Sequence, residues 1–187
     1  MLALHAGWPV TLNLVSIGLF CMSSDVSDVT PQDPSRPPMT IGWREWIGLP
    51  ELGVNRLKAK VDTGARTAAL HAEDIEVFTR EHREWVRFKI TTGEEEAVWR
   101  VCERPLVDIR EIKNTSGVPE PRYVINTSLR LGGRRWRIDV SLANRAEMGF
   151  ELILGRTSIR RRNIVVNPGR SFLAGEPKKK REGGTSA

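Results

Sequence analysis

Apolar and polar positions alternate in short runs through the middle of this chain, and turn residues separate the runs. Ile41, Trp43, Trp46 and Ile47 open the first, which Gly48 and Pro50 end. Leu57, Ala59 and Val61 alternate with Lys58, Lys60 and Asp62, the period of a half-buried strand that runs into an aspartate. Ile75, Val77 and Phe78 predict another strand. Trp85–Ile90 and Ala97–Val101 alternate well on either side of Gly93 and three glutamates, which predicts a hairpin. Tyr123–Leu129 and Trp136–Val140 flank Gly132-Gly133, a second hairpin. Phe150–Leu154 reads as a short buried strand, Thr157–Arg162 as a short helix, and Ile164–Val166 as a last strand before Pro168-Gly169. Many short strands with turns between them predict an all-β, closed or sandwich-like domain over residues 39–173.

The flanks read differently. Residues 1–38 hold an apolar stretch, Gly7–Met22, then a run of Ser, Asp, Thr and Pro typical of a disordered extension. No Lys or Arg precedes the apolar stretch, and Pro9, Thr11 and Asn13 interrupt it. It is short for a membrane span and weak as a signal, so no span is expected and Met39 is the favoured start. Residues 174–187 form a basic tail without core-forming residues.

Composition narrows the function classes. Sixteen glycines and eleven prolines in 187 residues suit strands and turns. The two cysteines, Cys21 and Cys102, do not make a disulfide framework, which fits a cytoplasmic location; residues 1–22 acting as a signal would instead export the chain. The net charge is +6, and the excess of cations falls on the middle of the chain, where it would suit an acidic partner.

One motif carries chemistry. Val61-Asp62-Thr63-Gly64-Ala65 places a carboxylate on a tight turn at the end of an apolar strand, with a glycine that lets the backbone approach it. Leu152-Ile153-Leu154-Gly155-Arg156 follows much later and leads into the expected helix. With Ile41–Trp46, Lys58–Thr67, Ala69–Ala72 and Arg122–Ile125, these stretches cover most of residues 40–173. In them the chain resembles the retropepsin-like aspartic peptidases, and most closely the bacterial group labelled ATP-dependent zinc proteases.

The resemblance implies a closed retropepsin-like β-barrel, the acid-protease fold, with one short C-terminal helix. It implies Asp62, Thr63 and Gly64 as the catalytic turn and Gly155 and Arg156 as the support behind it. Ala65, Arg66, Arg122 and Gly117 are the expected substrate contacts; Lys113–Pro121, a Gly- and Pro-containing stretch between two strand-like runs, reads as a flap that carries Gly117, and the tip near Gly93 is the alternative flap. Two carboxylates held about 3 Å apart share a proton, so one activates water while the other hydrogen-bonds the scissile carbonyl. Only one Asp-Thr-Gly is present, so the second aspartate would come from a second copy in a homodimer. Viral retropepsins carry an acid where Arg66 stands, paired with the arginine of the Gly-Arg element. Arg66 and Arg156 cannot form that pair.

Peptidase activity on a peptide or protein is therefore the expected function. The alternatives are an idle binding module of the same fold, or a peptidase that trims a glutamate-tailed protein, since members of the group occur beside ATP-grasp ligases. The zinc and ATP labels find no motif. His71, His82 and Cys102 lack metal-ligand spacing, and His71 reads as a hydrogen-bonded residue near the active-site strand. No phosphate-binding Gly-rich loop ends in Gly-Lys-Ser/Thr. No cofactor and no metal are expected. Arg134-Arg135, Arg160-Arg161-Arg162 and Lys178–Arg181 supply cations but no nucleic-acid-binding motif, which disfavours a nucleic-acid partner.

Overall fold

A computed structural model describes residues 37–91, 98–113, 119–146 and 148–177. The extension as far as residue 36 and most of the basic tail lie outside the described residues, as do the hairpin tip at Gly93 and most of the flap segment, Gly117 included.

The described chain is all-β apart from a 3-10 turn at Pro50–Leu52 and one helical turn. Its strands are β1 (Met39–Gly42), β2 (Arg44–Leu49), β3 (Val54–Asp62), β4 (Ala68–His71), β5 (Glu73–Arg80) and β6 (Arg83–Thr91). Then follow β7 (Trp99–Lys113), β8 (Pro119–Leu131), β9 (Arg134–Ala143), β10 (Leu152–Gly155), the helical turn α1 (Arg156–Ile159) and β11 (Ile164–Asn167).

The alternation seen in the sequence sorts the side chains. Leu57, Ala59 and Val61 of β3 are buried while Lys58 and Lys60 are exposed. Val86, Phe88 and Ile90 of β6 and Trp136, Ile138 and Val140 of β9 turn inward in the same way. All of them join one core cluster. The β8–β9 hairpin pairs Leu131 with Arg134, and Gly132 takes the left-handed conformation (φ +57°) that such a tight turn demands.

Nine strands pair in the order β2-β3-β10-β4-β9-β8-β7-β6-β5, and β2 also pairs with β8. The six strands from β2 round to β8 therefore close a ring of pairings, and β7, β6 and β5 continue beyond it. The strands β1 and β11 form a separate parallel pair.

The connection around β10 positions the site. The chain leaves β3 at Asp62, crosses the end of β10, and enters β4 on the other side. The strand β10 pairs in parallel with β3, Gly155 opposite Asp62, and antiparallel with β4. The crossing is so close that a Cβ on Gly155 would lie 2.4 Å from the carbonyl oxygen of Thr67. The obstacle is backbone, which cannot swing aside as a flexible side chain would, so glycine is required there.

Candidate active site

Asp62 is the last residue of β3, and the turn after it folds back onto its carboxylate. Its Oδ1 accepts the backbone N–H of Gly64 at 3.1 Å and of Ala65 at 3.0 Å. Among the described residues Oδ2 has no hydrogen-bond partner. One oxygen is thus fixed by the backbone and the other is left for a proton, a water or a second carboxylate. The strand beneath is held in turn, since Val61 donates its N–H to the carbonyl of Trp43 at 2.8 Å.

The Gly-Arg element secures the turn from behind. Arg156 donates its backbone N–H to the Ala65 carbonyl (2.9 Å), and Thr157 donates its N–H to the Arg66 carbonyl (3.0 Å). The Thr157 hydroxyl donates to that same carbonyl at 2.8 Å. The Arg156 guanidinium donates through Nη1 to the carbonyl of Gly64 at 3.1 Å. Arg156 therefore bonds the backbone of the Asp62 turn, where the viral pattern would pair this arginine with an acid. Thr63, Gly64 and Arg66 are exposed, and Ala65 is half-buried.

A cleft of about 1030 Å³ opens beside the turn. Ala65, Arg66 and Thr67 form one wall, Thr157 and Arg160 extend it, and residues of β7, β8 and β9 form the opposite one. Six arginines line it (Arg66, Arg110, Arg122, Arg137, Arg145 and Arg160) against the acids Asp108, Glu111 and Asp139. Two of those acids are engaged by cleft residues. Arg110 lies 2.7 Å from Asp108 and 3.7 Å from Asp139, and Asn126 donates to Asp139 at 2.8 Å. The hydrogen bond from Arg110 holds the Asp108 carboxyl below its usual range. The cleft is thus cationic, and a focused field of one sign attracts partners of the other.

Of the residues singled out from the sequence, the structure gathers Asp62, Thr63, Gly64, Ala65, Arg66, Gly155 and Arg156 around one turn. It sets Arg122 in the cleft wall. Gly117 lies outside the described residues. His71 is buried at the end of β4, where its Nδ1 accepts the backbone N–H of Arg145 at 2.9 Å. Cys102 is buried, and burial pushes its thiol pKa up, as in a packed side chain and against the needs of a nucleophile. Among the described residues no group of three or more His, Cys, Asp or Glu side chains gathers as a metal site would need. Arg145 was not legible as a site residue, because it follows β9 in a stretch with no motif.

Residues 40–177 match the family described as RimB-like, retropepsin-like aspartic endopeptidase RimB. The chain belongs to that family. The family description carries the retropepsin fold and not the zinc label. A probable alpha-L-glutamate ligase of Desulfotalea psychrophila is 42% identical over 141 residues, 74% of this chain and 30% of the relative. A relative of the same name from Shewanella pealeana is 41% identical over 138 residues, again covering 30% of its length. The chain thus spans about a third or less of the curated relatives it matches. A crystal structure of a Legionella pneumophila protein of unknown function is similar with a TM-score of 0.63 and 28% identity, over 73% of this chain and 98% of that one.

Proposed function

We propose that this chain is an aspartic endopeptidase whose working site joins Asp62 from two copies of the chain into one dyad, within a closed acid-protease barrel. The observation that carries the proposal is the Asp62 turn. Its carboxylate is oriented by two backbone N–H groups through one oxygen, its other oxygen has no hydrogen-bond partner among the described residues, and Ala65 of the same turn lines a cleft large enough for a peptide. In the dyad the two carboxylates share one proton. The ionised one takes a proton from water, which attacks the peptide carbonyl, and the protonated one hydrogen-bonds the carbonyl oxygen. The carboxyl that took the proton from water passes it to the amide nitrogen as the C–N bond breaks, the other takes back a proton from the tetrahedral diol, and the dyad again holds one shared proton, with no covalent intermediate and no metal in any step.

The substrate we propose is acidic, a protein or peptide carrying glutamates. Two observations support it. The cleft has twice as many arginines as acids, and relatives that contain this domain as about 30% of their length are named alpha-L-glutamate ligases. A ligase that adds glutamates and a peptidase that removes them act on the same class of molecule.

The test is the substitution Asp62→Asn, which keeps shape but removes the base. The purified variant should fold as the parent does and lose cleavage of a glutamate-rich peptide by at least about 100-fold, the scale of one acid–base group. A chelator should leave the parent's activity intact, and a general aspartic-peptidase inhibitor should suppress it. Cleavage by Asp62→Asn at the parental rate would rule out the dyad.

A further inference from the structure

We infer that Arg145, held in place by His71, is the specificity-determining cation that takes a substrate carboxylate beside Asp62; this rests on the acidic-substrate reading above.

The cleft arginines are not equivalent. Arg110 is paired with Asp108 and Asp139, Arg122 with Glu120 at 3.1 Å, and Arg137 with Glu51 at 3.1 Å. Arg66 and Arg160 are exposed, so water solvates them. Arg145 alone among the six is half-buried with no carboxylate partner among the described residues, and its Nε is buried without a hydrogen bond. Burial, and then the like charge of Arg122, pull its pKa below the ordinary guanidinium value, and only Asp62 acts to raise it. Taking a guanidinium from water without pairing it is costly, and that cost is relieved when an anion arrives. An arginine fork matches a carboxylate in two parallel hydrogen bonds. Arg145 lines the same cleft as Ala65 and Arg66 of the Asp62 turn, so a carboxylate bound to it lies in the cleft beside that turn.

The position of Arg145 is built, not incidental. Its backbone N–H donates to His71 Nδ1 at 2.9 Å. An imidazole that accepts at Nδ1 carries its proton on Nε2, and Nε2 faces Glu73 at 3.5 Å, which favours that tautomer. Ala72 donates its N–H to the carbonyl of Ala143 at 3.0 Å, and Met148 donates to the carbonyl of Arg145 at 2.9 Å. The end of β4 thus fixes the loop that presents Arg145. His71 is too deeply buried to meet substrate and acts as a positioning residue.

The carboxylate could be the substrate's or belong to a second copy of the chain, and binding measurements separate the two. The probe is an oligoglutamate peptide, with the matching oligoglutamine as control, titrated calorimetrically into the full chain carrying Asp62→Asn to prevent turnover. The parent should prefer oligoglutamate. Adding Arg145→Gln should weaken that binding roughly 10- to 100-fold, the worth of one charge-assisted pair. Arg161→Gln, which removes the same charge from an exposed position outside the cleft lining, should change it less than about threefold. His71→Ala should follow Arg145→Gln, and His71→Asn, whose side-chain oxygen can replace the Nδ1 acceptor, should restore binding. A preference for oligoglutamate that survives Arg145→Gln overturns the role of Arg145 alone. Loss of self-association in Arg145→Gln with peptide binding unchanged overturns it in favour of the second copy. No preference in the parent overturns the acidic-substrate reading and this inference with it.

Discussion

Glu45 is wholly buried, yet it sits on β2 among tryptophans that pack at the edge of the core. Its carboxylate accepts backbone N–H groups from Gly42 at 2.6 Å, Leu173 at 2.8 Å and Ala174 at 3.2 Å. One side chain therefore ties the segment after β11 to the start of the domain, assisted by Phe172 stacked on Trp46. Truncation to Ala would strand those donors, and each buried donor left unpaired costs about 1–3 kcal/mol. Glu45→Ala should lower the unfolding free energy by roughly 2–4 kcal/mol in urea titration, since the Leu173 and Ala174 donors are only partly buried and water recovers part of what is lost. Glu45→Gln, which keeps an acceptor, should lose less. An unchanged midpoint in both would mean that the terminal segment does not need this anchor. Glu45 falls within the family-like stretch Ile41–Trp46, but its anchoring role is not legible there, because a buried acid beside tryptophans looks the same as a solvated one until Leu173 and Ala174, more than a hundred residues away, are placed.

At the scale of elements, local pairing was legible and remote pairing was not. The β8–β9 hairpin follows from Gly132-Gly133 between two alternating runs, and the β6–β7 pairing follows from the same kind of pattern. The strand β4 is different. All four of its residues are buried, so Ala68–His71 shows no alternation. The second half of β7 also escapes, because Val107 and Ile109 are apolar on its exposed side and reverse the usual signal. The helix expected over Thr157–Arg162 is one turn, beginning at Arg156 and ending at Ile159, where Arg160 leaves helical backbone and Arg161 takes a positive φ. The placement of β10 between β3 and β4 was approached only through the family motif, since its parallel partner lies some ninety residues earlier. That placement gives a sharp expectation. Gly155→Ala should cost roughly 1–3 kcal/mol of stability, the usual range for forced overpacking. Its activity should fall further than its stability, because the Thr67 backbone can move away from the new Cβ only by disturbing the turn that holds Asp62. Assay at a temperature where the variant is fully folded separates the two, and full activity there would show that the turn absorbs the methyl group.

At the scale of the whole molecule, the domain supplies half of what its proposed chemistry needs. It offers one oriented carboxylate, a cationic cleft and no second Asp-Thr-Gly. Relatives named probable alpha-L-glutamate ligases match this chain over about 30% of their length, and the Legionella protein matches it over 98% of its own. A domain that occurs in both settings has its own core. The central claim is that two copies must meet for the site to work, and mixing wild-type chains with Asp62→Asn chains tests it most directly. A mixed dimer carries one carboxylate and one carboxamide and cannot hold the shared proton. At fixed wild-type concentration, after exchange with an equal amount of the variant, random pairing leaves about half of the wild-type chains in wild-type dimers, so activity per wild-type chain should fall to about half. It should keep falling in proportion to the wild-type fraction as more variant is added. Activity per wild-type chain that stays constant at every ratio, with exchange verified, would show that each chain holds a complete site and would contradict the account.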